Sequence, residues 1–229
     1  MLMMNLSGKI VLVIGASQGL GKEMVNLLVK ENVKVFALAR SIQDSDLPSS
    51  VIKISVDIID TKSIASAFEQ IDKETQRIDI LINCVGQGLI KPFESVTQAE
   101  IIETLSLNLQ GNILMAQEGY KRMLRHKSGH IVNIISTSGI KGKASETIYC
   151  ASKWGLRGFS EALRQEARKK GIRVSAIFPG GMQTENFWKI SPEVDTKDFI
   201  KPKLVAEQIV HLLKTDPSIS PSELILERM

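Results

Sequence analysis

Apolar residues along the chain fall alternately into short unbroken runs and into stretches with helical spacing. The runs at 10–14, 33–39, 51–56, 78–83, 131–135 and 172–178 have strand length and are rich in Val and Ile, the pattern of strands covered on both faces. Between them Leu20, Met24, Leu27 and Leu28, then Ile64, Ala67, Phe68 and Ile71, then Ile101, Leu105 and Ile113 recur at helical spacing, as do Val205, Ile209, Leu212 and Leu213. From Tyr149 into the 160s, Trp154, Phe159, Ala162, Leu163 and Ala167 lay out a broad apolar face, and Lys170-Gly171 supplies the expected helix stop. Strand and helix alternate with no break in composition. That rhythm predicts one doubly wound α/β domain with a mostly parallel sheet. Residues 185–203, bearing Phe187, Trp188, Pro192 and Pro202, interrupt it and predict a long irregular excursion of the kind used as a lid. Leu224, Ile225 and Leu226 make a last short strand.

Composition narrows the class. With 229 residues, 43% hydrophobic and 24% charged, the chain has the balance of a soluble globular domain. The net charge of +4 is spread out, and the densest basic cluster, from Arg164 to Arg173, is interrupted by Glu166. Neither nucleic acid nor an anionic membrane is an expected partner. The first residues, Met1-Leu2-Met3-Met4-Asn5, lack the basic start and apolar run of a signal peptide, and no stretch reaches transmembrane length. Cys84 and Cys150 belong to no CxxC or Cys/His spacing, so no metal site is expected and both thiols fit a reducing compartment. A cytoplasmic protein is the expectation.

Chemistry enters where the first run meets Gly15-Ala16-Ser17-Gln18-Gly19-Leu20-Gly21. A strand, a glycine turn and a helix together present backbone N–H groups and a positive dipole end to a phosphate. A P-loop is excluded, because Ala16 stands where its first glycine belongs and Glu23 follows Lys22. About 20 residues past this loop, where a dinucleotide fold that prefers NAD carries an acid for the ribose hydroxyl, this chain has Arg40-Ser41. A cation there suits the 2′-phosphate of NADP; a surface arginine ending a strand is the plain alternative. Asp57-Ile58 closes the third run, where the carboxylate can accept from an adenine amino group or cap the next turn. Asn83 precedes Cys84-Val85-Gly86; its amide can lock strand ends and the glycine leaves room for a ribose. Asn108 falls inside a helical stretch, where asparagine is a mediocre helix former.

The densest cluster of candidate chemistry is Tyr149-Cys150-Ala151-Ser152-Lys153, with Ser136 upstream at the tip of the fifth run. On a helix, Tyr149 and Lys153 share one face. A free phenol has a pKa of about 10 and needs a nearby cation to exchange protons near neutrality. Ser136 can hydrogen-bond a substrate oxygen.

In this order, the glycine loop, Asn83-x-x-Gly86, Asn108, Ser136, Tyr149-x-x-x-Lys153 and Pro179-Gly180 make the chain resemble the classical short-chain dehydrogenase/reductase family over roughly residues 7 to 215. The resemblance implies a Rossmann fold with seven strands in the order 3-2-1-4-5-6-7 and a homodimer or homotetramer, with the Asn108 and Tyr149 helices at the interface. It implies that Gly15, Ser17, Gln18, Gly19, Leu20 and Gly21 hold the pyrophosphate, that Arg40 and Ser41 face the 2′-phosphate, and that Asp57 and Ile58 hold the adenine. Asn83 and Gly86 would line the cofactor ribose, and Pro179, Gly180 and Thr184 would lie at the nicotinamide, with Thr184 bonding its carboxamide. Tyr149 would be the proton donor to a carbonyl and Ser136 would polarise its oxygen. Lys153 would bind the nicotinamide ribose and depress the tyrosine pKa, and Asn108 would hold a water in the proton relay. Ile14, where the family often has threonine, Cys84-Val85 in place of Asn-Ala, and a terminus from Pro221 to Met229 without the glycine-rich stretch of many tetrameric relatives are departures.

The function expected is hydride transfer between NADP(H) and a small carbonyl or secondary alcohol. A nucleotide-binding sensor or scaffold without turnover, and an NAD-dependent dehydrogenase, are the competing expectations.

Overall fold

The computed structural model describes residues 4–191 and 194–229. Its centre is a sheet of strands β1 (Ile10–Ile14), β2 (Lys34–Ala39), β3 (Ile52–Ser55), β4 (Ile80–Asn83), β5 (Gly129–Ile134), β6 (Ile172–Pro179) and β7 (Glu223–Leu226), in the order β3-β2-β1-β4-β5-β6-β7. Every pairing is parallel. Because alternate residues of a strand face opposite sides, Val11 and Val13 enter one core and Leu12 and Ile14 the other. Both faces are covered, so the strand sequences are apolar throughout rather than alternating.

Helices α1 (Gly19–Val29) and α7 (Pro202–Leu213) close one face through Leu20, Met24, Leu28, Val205, Ile209 and Leu213. Helices α2 (Thr61–Glu74), α4 (Asn112–His126) and α5 (Thr147–Arg168) close the other, with Phe68, Ile71, Met115, Met123 and Ala167 in its core. The order reverses between β1 and β4, and the carboxyl ends of those strands open a crevice there, the usual ligand position in such sheets. This is the Rossmann architecture, with the expected strand order.

Two local features differ from the periodicity. The helix expected through Ile101 and Ile113 is α3 (Gln98–Leu105) and α4 joined by a π-helical turn, Ser106–Gly111, which contains Asn108. The broad apolar face expected on α5 is buried only in part: Phe159, Leu163 and Ala167 pack against the core. Trp154 is 48% exposed and Ala162 lies in solvent, while the helix buries Tyr149, Cys150, Ser152, Lys153, Leu156, Ser160 and Ala167. Small hydroxyls tolerate burial here because they bond backward along the helix: Ser152 Oγ donates to Tyr149 O (2.7 Å) and Ser160 Oγ to Leu156 O (2.7 Å). The inward face of α5 therefore carries chemistry instead of a full apolar stripe.

The excursion at 185–203 opens with a short helix, α6 (Glu185–Trp188), and is pinned at its neck. Gln183 N–H donates to Ile200 O (2.9 Å) and Ile200 N–H to Gly181 O (3.0 Å). Pro192, counted above among its residues, lies outside the described residues. Among the described residues, no helix is long and apolar enough to cross a membrane, and no group of His, Cys, Asp or Glu could hold a metal.

Candidate active site

The crevice holds a groove of about 760 Å³ that meets a smaller inner pocket of about 100 Å³. At the groove floor, β1 turns into α1 through Gly15, whose φ of +81° favours glycine. A side chain at Gly21 would put its Cβ 2.1 Å from Gly15 O, so the helix can start this close to the strand only without one. Gln18 occupies the N-cap position of α1 and makes no side-chain cap bond; the first helical N–H groups are left for a ligand. Gly15, Ser17, Gln18, Gly19, Leu20, Gly21, Arg40, Ser41, Asp57, Ile58, Gly86 and Thr184 all line this groove. Lys22, Lys201 and Lys203 line it as well; none of the three was singled out by the sequence, where each looks like an ordinary surface lysine.

Asn83 does not line the groove. The register sets Ile14, Asn83 and Asn133 side by side at the strand ends, and the Asn83 Nδ2 group donates to Asn133 Oδ1 (2.9 Å) and Asn112 O (3.2 Å). Asn83 is wholly buried, so its place is beneath the site, as a lock between strand and helix. This corrects its assignment to the ribose.

The inner pocket is built by β5, α5 and the turn after β6. Tyr149 and Ser136 line it together, and Ser136 Oγ accepts from Ser138 N–H (3.1 Å). One turn along α5, Lys153 is 2% exposed and reaches Ile134 O (3.5 Å). Pro179 and Gly180 line the same pocket. Cys84, Val85, Gly86, Ile134, Met182, Thr184 and Phe187 border both cavities, which makes that ring of residues the passage from groove to pocket.

Burial dominates the electrostatics. It pushes the Lys153 ammonium down to about 8, against a small opposing influence of Cys84. It raises the Tyr149 hydroxyl well above the ordinary phenol range, with Ser136 as the opposing influence and Glu146 adding to the rise. Lys153 Nζ stands 5.7 Å from the centroid of the Tyr149 ring. Tyr149 is a proton-holding phenol here. The Cys84 thiol is pushed up to about 12 by burial and stays protonated near neutrality.

Asn108 is fully buried, and its amide forms a two-way clasp with Gln87: Oδ1 accepts from the Gln87 N–H and Nδ2 donates to the Gln87 carbonyl, both at 2.8 Å. Nδ2 also donates to Ser152 Oγ (3.3 Å). The side chain therefore holds the Gly86–Gln87 wall against α5. The π-helical turn brings Asn108 inward, a distortion typical of functional sites, and Asn112 stabilises it by donating to Leu107 O (3.2 Å), Asn108 O (3.0 Å) and Val85 O (3.3 Å).

The excursion covers the pocket with aromatics. Phe187 stands edge-on to Tyr149 (centroids 5.7 Å), Trp188 edge-on to Phe187 (5.0 Å) and Phe199 edge-on to Trp188 (5.0 Å). Trp188 Nε1 donates to Met182 O (2.7 Å) and anchors the row.

A family model described as short chain dehydrogenase matches residues 9–195. The chain belongs to the classical short-chain dehydrogenase/reductase family. Similar members include carbonyl reductase family member 4 of Xenopus laevis, 31% identical with 96% of each chain covered. The 3-oxoacyl-[acyl-carrier-protein] reductase of Bos taurus is 28% identical over 96% of each. D-threitol dehydrogenase of Mycolicibacterium smegmatis is 31% identical over 79% of this chain and 73% of its own. Among solved structures, ElxO with NADP bound has a TM-score of 0.86 at 22% identity, covering 96% of this chain and 97% of that one. The fold is thus that of short-chain dehydrogenases/reductases, and the chain is an oxidoreductase by family.

Proposed function

We propose that this short-chain dehydrogenase/reductase transfers a hydride between NADP(H) and a carbonyl or secondary-alcohol substrate, with Tyr149 as the acid and base. The observation that carries the reading is that Tyr149, Ser136 and, a turn away, Lys153 line one inner pocket that meets a dinucleotide-sized groove. The groove suits a dinucleotide: Gly21, with no Cβ, lets α1 start against the Gly15 turn, and the start of α1 carries no side-chain cap. When bound, NADPH supplies the hydride. Gly15, Gly19 and Gly21 would hold the pyrophosphate, Asp57 and Ile58 the adenine, and Thr184 the carboxamide. Arg40 is exposed at the groove and makes no ion pair among the described residues, so its charge is available to a 2′-phosphate.

In reduction, Ser136 and Tyr149 both face the substrate oxygen, Ser136 polarising it and Tyr149 giving its proton to the alkoxide. The neutral phenol favoured by burial is the form that can donate. Lys153 holds positive charge beside the developing oxyanion and binds the nicotinamide ribose. Asn108 and Gly86 fix the wall against which the ring rests. On this reading the chain is one cytoplasmic dinucleotide-binding domain, with 185–203 covering the substrate, that works as a homodimer or homotetramer; the exposed Trp154 on α5 and Ile102 on α3 support a self-interface.

The test is Tyr149→Phe. NADPH consumption with a panel of ketones should fall at least a thousandfold while the Kd for NADPH stays within about twofold. A Tyr149→Phe enzyme as active as the parent would reject the assignment, and a parent that binds NADPH but consumes none would mark a sensor instead.

A further inference from the structure

The inner pocket carries one charged acceptor outside the reacting trio. Glu146 occupies the N-cap position of α5, where a carboxylate ordinarily folds back onto the helix N–H groups, yet it makes no side-chain cap bond. Its side chain turns into the pocket wall instead. Oε2 accepts from Ser138 Oγ (2.7 Å), and Ser138 is itself 1% exposed and bonded through its N–H to Ser136 Oγ. Lys143, which lines the same pocket, stands 3.9 Å from that oxygen, its side chain 43% exposed against 15% for Glu146. Oε1 has no partner among the described residues. A molecule held by Ser136 and Tyr149 therefore meets an inner negative charge with an open acceptor, walled by apolar Ile135, Met182, Phe187 and Trp188.

We propose that Glu146 selects the substrate, and that the substrate is a short ketone bearing a hydrogen-bond donor, a hydroxyl or an ammonium, next to its carbonyl. The inference rests on the carbonyl-reducing reading above. A carboxylate is a strong acceptor for such a donor and repels a substrate carboxylate held at the same place. The small volume, about 100 Å³, leaves room for a few carbon atoms beyond the carbonyl within the pocket itself. Two-oxo acids are disfavoured.

The experiment compares ketones of matched size by NADPH consumption: hydroxyacetone, aminoacetone, 2-butanone and pyruvate, with the parent enzyme and with Glu146→Gln and Glu146→Leu. Glu146→Gln keeps an oxygen for Ser138 and so preserves the wall. The expected result is a kcat/KM for hydroxyacetone or aminoacetone about tenfold or more above that for 2-butanone, with pyruvate below all of them. Whichever donor leads identifies the hydroxyl or the ammonium as the group recognised. The ratio of donor ketone to 2-butanone should shrink in Glu146→Gln and approach one in Glu146→Leu. The inference is overturned if the parent reduces 2-butanone or pyruvate as well as the donor ketones, or if the ratio is unchanged in both variants; reduction of ketones would stand in either case. If no ketone is consumed although NADPH binds, the carbonyl-reducing reading falls and this inference with it.

Discussion

Lys153 shows how burial sets both the use and the limit of a catalytic cation. Its pKa of about 8, down from 10.5 through burial, means that folded and unfolded chains both carry the charge below that pH. Between about 8 and 10.5 the unfolded chain keeps a proton that the folded one has released, so rising pH favours the fold through this window. The same rise removes positive charge from the site. NADPH affinity is expected to weaken above about pH 8 while the urea midpoint does not fall, and Lys153→Met should bind weakly with no such pH dependence; fluorescence titration of NADPH at several pH values checks both. Arg40 makes a second residue-scale prediction. Arg40→Ala should raise the Kd for NADPH by about tenfold or more, the range of a charge-assisted phosphate contact, and leave that for NADH within about twofold; equal losses for both cofactors would sink its role at the 2′-phosphate. Tyr149, Lys153, Ser136 and the glycine loop were legible in the sequence because each chemistry demands a residue type at a fixed spacing. Glu146 and Cys84 were not. Their importance comes from the direction in which a side chain turns, and spacing carries no such information.

At the scale of elements, the π-helical turn and the helix after it explain how a wall of the site is held from behind. Asn112 stands where the chain leaves Ser106–Gly111 and gives its amide to three carbonyls, those of Leu107, Asn108 and Val85. Replacing it by Asp would aim a carboxylate at those same carbonyls in a fully buried place. Asn112→Asp is expected to cost about 3 kcal/mol or more of stability and to lower kcat/KM even though Asn112 lines neither cavity; urea unfolding and steady-state rates at a temperature where the variant stays folded separate the two effects. An Asn112→Asp protein with parental stability and activity would show that the turn needs no such brace. The sequence gives a hint of this network: Asn133 interrupts an otherwise apolar strand and Asn83 ends another, and polar groups at such places need partners. Which partners they find depends on the strand register, which sets Asn83 beside Asn133 and which local pattern does not specify. The face of α5 is legible only in part, for a related reason. Trp154 and Ala162 satisfy the apolar spacing, but the inward side was decided by Tyr149 and Lys153, whose burial the sheet and the excursion impose from a distance.

Over the whole molecule, the parallel sheet separates function from support: the strands' carboxyl ends hold the site, and their opposite ends hold groups that act only on stability. The alternation of strand and helix made the doubly wound, mostly parallel sheet readable, and the strand order followed from the family resemblance. The attachment of the last strand was less readable, since it depends on contacts such as the Arg157–Glu223 pair (3.0 Å) and on a buried histidine far from any motif. His130 on β5 is 1% exposed and bonds through Nε2 to Ser175 Oγ (2.8 Å), which in turn donates to Pro221 O (2.5 Å) just before β7. With the serine proton given to Pro221, the ring must donate from Nε2, and Nδ1 is left without a partner among the described residues. Burial, aided by Arg173, pushes the His130 pKa down to about 3 from 6.5. The folded chain thus keeps the ring neutral while the unfolded chain takes up a proton below about 6.5, so stability falls as pH drops from 6.5 towards 3. At pH 5 this one group should remove about 2 kcal/mol, from 1.36 kcal/mol for each unit below 6.5. His130→Gln can keep a donor to Ser175 but cannot titrate. Urea unfolding at pH 7 and pH 5 should therefore show a loss in the parent that exceeds the loss in His130→Gln by about that amount, with the carboxylates common to both cancelling; equal losses would mean that the unfolded chain gains no proton at this position that the folded chain refuses.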